Sequence, residues 1–549
     1  MKKAGDNVIR VRIKTSQEQE NQGRLQVINN TVEGSSHSPK AVGSLRQTKG
    51  WIFMKKQLMQ NRLLKMTIAF AMIISAICLS GCGRQQTETK QKVVHVAEYG
   101  NDETGTGAWY KPYATISHAA KTAPGSLIIV GEGKYEPFEL GPDCSGSKDS
   151  PTVIRPAEDA RVVIHVESGT GILLKNVHNI SIEGLETLGG TYAVEYVSTP
   201  EAGKQALSNI SIRNCIVHGV RGEHGICVYA RNDLAPVTNL TIEGCEVYDC
   251  ECYWSESMVI NGNIDGFLIQ GNKVHDNNNI GIDMIGFEGW ACHQDNISGV
   301  NPYEVDYVRN GICRDNLVYN ISTEGNEAYF EDGEYDLCAG GIYVDGGQNI
   351  EIFNNFIFNC DIGLEVATEH SPDDNELFKV SGIHVHDNVI ADCTGWSGIT
   401  FGGYERNLGF TEDCIFDNNT LVDNIPQIVV QRSRKNRICA NLVLGGEDGV
   451  FFEPSGWEEG LVNEISGNAA AEIANEESWA EEYGTFYSDR SEAADGFRSL
   501  IEDTGSRFVP DEEQIRIYKA QKIRKRWNLL KEKVKSWFDH LVGADSGSE

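Results

Sequence analysis

IEIFNNFIFN (350–359), IHVHDNVIAD (383–392) and IFDNNTLVDN (415–424) fall into register when the chain is read in steps of 31 to 33 residues. Their shared pattern is apolar-x-x-Asn-x-apolar, with Asn355, Asn388 and Asn419 aligned. Backwards, the pattern continues through GICRDNLVYN (311–320), FLIQGNKV (267–274), NLTIEGCEV (239–247), NISIRNCIV (209–217) and NISIEGLET (179–187). Forwards it reaches RICANLVLG (437–445). The register residues are Leu185, Cys215, Cys245, Asn272, Asn316, Asn355, Asn388, Asn419 and Asn441, spaced by 30, 30, 27, 44, 39, 33, 31 and 22 residues. Short strands with period-2 apolar residues cannot bury themselves singly, but stacked coils bury one face of each continuously. A helical solenoid needs a 3.6-residue period, and a propeller needs regular blades of about 40 residues; neither pattern is present. The sequence therefore predicts an all-β protein, a right-handed parallel β-helix in which an inward Asn at each sharp turn bonds the Asn of the next coil.

This reading absorbs the cysteines. Fifteen Cys in an exported chain ordinarily suggest disulfides. Here Cys215 and Cys245 occupy the ladder position, and Cys250, Cys360 and Cys393 fall near equivalent strand ends, so stacked buried thiols are expected. No CxxC metal spacing occurs, and no metal-ligand set is assigned. Past about residue 470 the pattern fades into EIANEESWAEEY, an acidic helical stretch. QIRIYKAQKIRKRWNLLKEKVKSWFDHLVG (514–543) then reads as a basic amphipathic helix that packs on the acidic body or touches a membrane surface.

The chain has 549 residues, 79 acidic against 48 basic, for a net charge of -31. An apolar fraction of 40% supports a large core. The acid excess excludes a nucleic-acid binder, because phosphates meet a repulsive field. MKKQLMQNRLLK (54–65) precedes the apolar run MTIAFAMIISAICLS (66–80), and Leu79-Ser80-Gly81-Cys82 resembles a bacterial lipobox with Cys82 as the lipidated residue. Residues 1–53 are read as a non-native upstream extension, 54–81 as the lipoprotein signal peptide and 82–95 as a linker. The β-helical catalytic domain is 96–470, and 471–549 form the helical C-terminal part. Processing before Cys82 removes 13 basic and 4 acidic residues and leaves 35 against 75, a net charge of -40. The expected location is the extracytoplasmic face of the cell membrane.

Four further strands share Gly-(Ile/Leu)-x-hydrophobic: Gly281-Ile282-Asp283-Met284, Gly341-Ile342-Tyr343-Val344, Gly363-Leu364-Glu365-Val366 and Gly398-Ile399-Thr400-Phe401. With the apolar positions inward, Asp283, Tyr343, Glu365 and Thr400 stack on one outer face, and Asp345 lies two residues further along its strand. Coils about 4.8 Å apart let the Asp345 and Glu365 carboxylates converge to about 5 Å. Clustered carboxylates repel, which raises at least one pKa. One protonated acid beside one carboxylate is what glycoside cleavage needs, and a separation of about 5–5.5 Å favours the retaining route. The same cluster suits Ca²⁺. Glu288, Trp290, Glu369, His370, Trp396, Tyr404 and Glu405 follow or precede these strands in loops and, with Tyr343, offer aromatic faces and hydrogen-bonding groups to a sugar. Insertions at about 286–306 and 322–338 would wall the groove and favour exo-type substrates.

GGIYVDGGQNIEIFNNFIFNCDIGLEVATEH (340–370), with NNIGIDMIGFEG (278–289) and SGITFGGYERNLGFTEDCIFDNNTLVDN (397–424), resembles bacterial lyase-like parallel β-helix proteins. Residues 96–135 resemble their opening segment, with a capping helix at about 115–122. Among them the chain is similar to the β-helical β-xylosidases of glycoside hydrolase family 120. That resemblance implies that Asp345 is the nucleophile and Glu365 the acid/base, acting on an oligosaccharide or polysaccharide with no required cofactor. Two other classes remain open: a Ca²⁺-dependent polysaccharide lyase, with Asp276, Asp283 and Asp345 holding the ion and Arg406, Arg432 or Arg434 near it, and a non-catalytic carbohydrate-binding surface lipoprotein.

Overall fold

The computed structural model describes residues 91–293, 299–403, 408–446, 449–452, 461–474 and 476–544. The quoted repeats are corners. Gln348–Phe353 lies on one sheet, the chain turns at Asn354 and Asn355, and Phe356–Cys360 lies on the next. A third strand closes each coil. Three long sheets result, of 16, 13 and 11 strands, called here sheets 1, 2 and 3. Neighbours within them pair in parallel and in register, as Glu351↔His384 and Ile352↔Val385 do on sheet 1. The architecture is a right-handed parallel β-helix.

The turn explains the pattern. The residue before each ladder position is left-handed: Asp315, Asn354, Asp387 and Asn418 have φ of 53–56°. Asn, Asp and Gly tolerate this conformation, whereas Ala440, also left-handed, carries a penalty of about 1–2 kcal/mol. The ladder residue then points inward. Asn316 Nδ2 donates to Asn355 Oδ1 (2.9 Å), Asn355 to Asn388 (2.9 Å), Asn388 to Asn419 and Asn419 to Asn441 (both 3.0 Å). Each Oδ1 also accepts a backbone N–H of the preceding coil, so the buried amides are satisfied. At its start the Cys245 N–H donates to Asn272 Oδ1 (2.9 Å). A second ladder joins Cys393 N–H to Asn424 Oδ1 (3.0 Å). The described cysteines are free, and Cys215, Cys245, Cys250, Cys360 and Cys393 are buried, as the sequence predicts.

The N-terminal end is capped by the helix Ile116–Thr122, whose Ile116, Ala119 and Ala120 enter the core. Coil pairing begins at Val93 and extends beyond 470, because Gly484–Tyr487 adds to sheet 2 beside Asn468–Ala471 after the short helix Glu476–Glu482. The helix Glu512–Ala544 packs its first turns on sheet 2. There the Tyr518 hydroxyl donates to Asp392 (2.5 Å) and Lys522 pairs with Asp392 (3.1 Å). This half follows the expected packing on the acidic body. No helix among the described residues is long and apolar enough to cross a membrane.

Candidate active site

Sheet 3 carries the outward row. Its register runs Val259↔Asp283↔Tyr343↔Glu365↔Thr400, flanked on both sides by inward rows such as Ile282↔Ile342↔Leu364↔Ile399. Asp345 follows the inward Val344 and pairs with Ala367. Asp283, Tyr343, Glu365 and Thr400 thus share one outward row, and Asp345 lies two residues beyond Tyr343 on its strand. Asp283, Tyr343 and Asp345 are buried, Glu365 is partly buried, and Glu369 is exposed at the mouth.

Desolvation and mutual repulsion drive these acids upward. Burial, then Glu256 and Asp345, raise Asp283 well above the carboxylate range. Burial, then Glu369 and Glu288, do the same to Asp345. Glu365 is pushed up to about 8 by burial and by Glu369. Glu369, expected to contact sugar, is therefore the carboxylate common to Asp345 and Glu365. The two proposed catalytic acids differ in hydrogen bonding. The Glu369 N–H donates to Asp345 Oδ1 (3.1 Å), and the Thr368 hydroxyl also bonds Asp345. Both favour its ionised form. No comparable hydrogen bond lowers Glu365, which burial and Glu369 alone raise.

Among the described residues, no Lys or Arg lies within ion-pair distance of Asp283, Asp345, Glu365, Glu369 or Glu256. His224 Nδ1 lies 3.4 Å from Glu256 Oε2, but burial lowers its pKa to about 4, so it is neutral. Glu288 and His370 are brought together, with Nε2 3.2 Å from Oε1, and Glu288 raises the pKa of His370. Trp290 is 43% exposed at the rim, beside Tyr229 (centroids 5.7 Å) and beneath the Arg231 guanidinium (4.2 Å). Trp396 is half exposed, and its backbone N–H donates to the Asp361 carbonyl (2.7 Å); its contacts do not join it to the acids. Tyr404 and Glu405 lie outside the described residues, as do Cys82 and Arg406.

Glu256 has no counterpart in the sequence reading. It is pushed up to about 8 by burial and by Glu369, Glu288 and Glu223. It precedes the strand Met258–Gly262, whose outward residue is Val259, so the row pattern does not point to it. His224 and Arg231 likewise lie just outside the strand Ile226–Ala230, which itself carries Tyr229; the His224–Tyr229 hydrogen bond (2.6 Å) forms within the preceding coil. Asp276 does not join this cluster. It lies on the strand Lys273–Asn277 of sheet 2, where it bonds His275 (2.7 Å) and Asn320 (2.8 Å), which removes it from the calcium set considered above. Lys379 and Arg434 both pair with Glu412 on sheet 1.

The uncharacterized protein YwoF of Bacillus subtilis (strain 168) is 32% identical over 440 residues, covering 75% of this chain and 87% of its own length. The chain belongs to the YwoF family. Within it, residues 295–487 match the family described as periplasmic copper-binding protein (NosD). Among solved structures, GH136 lacto-N-biosidase from Eubacterium ramulus is 13% identical with a TM-score of 0.44, over 72% of this chain and 67% of its own. Pectate lyase Pel9A is 14% identical with a TM-score of 0.40, over 78% and 92%. At these scores the two structures carry no argument about the chemistry of the YwoF-family chain.

Proposed function

We propose that the protein is a retaining, exo-acting glycoside hydrolase, β-xylosidase-like, that cleaves plant- or host-derived oligosaccharides at the cell surface, tethered through a lipid on Cys82. The observation that carries this reading is the group of carboxylates on one rigid outward face with, among the described residues, no Lys or Arg to neutralise them. Such a group cannot ionise fully and holds at least one proton at neutral pH. Glu365, with its pKa at about 8, donates that proton to the glycosidic oxygen. Asp345, whose ionised form the Glu369 N–H and Thr368 favour against the burial and repulsion that raise its pKa, attacks the anomeric carbon as its carboxylate. In the second half-reaction Glu365 takes a proton from water, which hydrolyses the glycosyl–Asp345 ester. Trp290 supplies a stacking face at the rim, and Glu288 with His370 accepts and donates hydrogen bonds to hydroxyls.

The same unneutralised acids favour a second reading, a Ca²⁺-dependent polysaccharide lyase. The two separate in one assay. Release of 4-nitrophenol from a panel of aryl glycosides, insensitive to EDTA and lost in both Asp345→Asn and Glu365→Gln, supports the hydrolase. EDTA-sensitive formation of an ultraviolet-absorbing unsaturated uronide supports the lyase, and sugar binding with neither product supports a surface binder.

A further inference from the structure

The segment IHVHDNVIAD (383–392) contributes more than a ladder residue. His384 and His386 are two residues apart on one strand of sheet 1, so both side chains leave the same outer face, and Glu351 is the register partner of His384 on the neighbouring strand. One ligand atom from each of Glu351, His384 and His386 falls within 4.8 Å of the others. His386 Nε2 stands 3.1 Å from Glu351 Oε1. On the following coil, Asp417 Oδ1 stands 2.7 Å from His384 Nε2.

We propose that Glu351, His384 and His386 form a site for a divalent first-row transition ion of zinc-like softness, remote from the acidic row on sheet 3. Two imidazoles and a carboxylate are the donor set that such ions select, whereas Ca²⁺ and Mg²⁺ prefer oxygen alone. The second layer of contacts suits a ligand histidine. Asp387 Oδ2 lies 2.9 Å from His386 Nδ1, and Asp387 is itself held by the Arg507 N–H and Nε (both 2.8 Å). A carboxylate fixed in this way accepts the Nδ1 proton and turns the Nε2 lone pair toward Glu351, an arrangement that orients histidines on metals. Access is open on one side: the His384 and Glu351 side chains are 40% and 46% exposed, while His386 is 12% exposed and stacks on Phe353 (centroids 5.0 Å). The ion would clip neighbouring coils together. Through Asp387 and Arg507 it would also strengthen the docking of the C-terminal segment.

The test uses the full mature chain without a histidine tag. Zn²⁺ binding is measured by calorimetry, and Cu²⁺ substitution is followed by electron paramagnetic resonance. One equivalent of Zn²⁺ should bind and raise Tm. His384→Ala and His386→Ala should each weaken binding at least 100-fold, and Asp387→Asn about 10- to 100-fold. The Cu²⁺ spectrum should show coupling to two nitrogens, lost in the double His variant. Circular dichroism in EDTA should show each variant folded, and a variant that fails this check is replaced by His→Gln at the same position. An all-oxygen Cu²⁺ spectrum, or Zn²⁺ affinity unchanged in the double His variant, would overturn the site; neither result touches the glycosidase reading, whose residues lie on another sheet.

Discussion

The outer faces of sheets 1 and 3 are built from the same repeat and treat their acids in opposite ways. On sheet 1 buried Glu412 pairs with Lys379 (2.6 Å) and Arg434 (2.8 Å), and Arg309 pairs with Asp265 (3.4 Å). Those partners hold Glu412 below its ordinary pKa even though burial opposes them. On sheet 3, Asp283, Asp345 and Glu365 stand on one outward face with no cation beside them among the described residues, and all are raised. Stacking coils about 4.8 Å apart multiplies whatever the outward residues are. Where signs alternate it builds ion pairs, and where acids accumulate it stores protons. The first arrangement serves stability. The second is costly to folding and suits proton transfer.

The largest expected effect separates the faces by activity. Asp345→Asn and Glu365→Gln should each lower kcat/KM on aryl glycosides by about 10²–10⁴-fold, while Glu412→Gln should leave it within about twofold. Stability should show the reverse: in urea unfolding, Glu412→Gln should cost about 1–2 kcal/mol by stranding Lys379 and Arg434, and Glu365→Gln should not destabilise at pH 8.

The pH dependence sharpens the contrast. The folded-state pKa of Glu365 lies at about 8, above its unfolded value, so the folded protein binds more protons between pH 4.5 and 8 and loses stability as pH rises through that window. The advantage of Glu365→Gln over the wild type should therefore grow by about 1 kcal/mol or more from pH 5 to pH 8. For Glu412, whose folded pKa is lowered, the contribution is present above the unfolded pKa and is lost on acidification. The kcat/KM profile should also fall on the alkaline side near pH 8, as Glu365 loses its proton. The smallest effect concerns the rim: Trp290→Ala should raise KM several-fold with kcat little changed, read from initial rates.

Much of the fold was legible because one turn dictates it. A left-handed residue, most often Gly, Asn or Asp, followed by an inward Asn or Cys recurs along the coils and can be found by alignment of the chain with itself. The outward row was legible for a related reason, since strand alternation assigns Asp283, Tyr343 and Glu365 to one face once Ile282, Ile342 and Leu364 are inward. Glu256 and Arg231 were not legible. They sit just outside strands, where direction is set by loop packing and by residues many positions away, and no period constrains them. The position of Glu369 is fixed by the turn after Ala367, not by the strand, so strand alternation does not assign it to the row.

The assignment of Asp345 as nucleophile and Glu365 as acid/base is tested most directly by azide rescue. Asp345→Gly and Glu365→Ala would each be incubated with an activated aryl glycoside and sodium azide, and the glycosyl azide identified by proton NMR. Rescue of Glu365→Ala should give the azide with retained anomeric configuration, and rescue of Asp345→Gly the inverted one. The opposite stereochemistry, or wild-type hydrolysis by either variant without azide, would contradict the assignment.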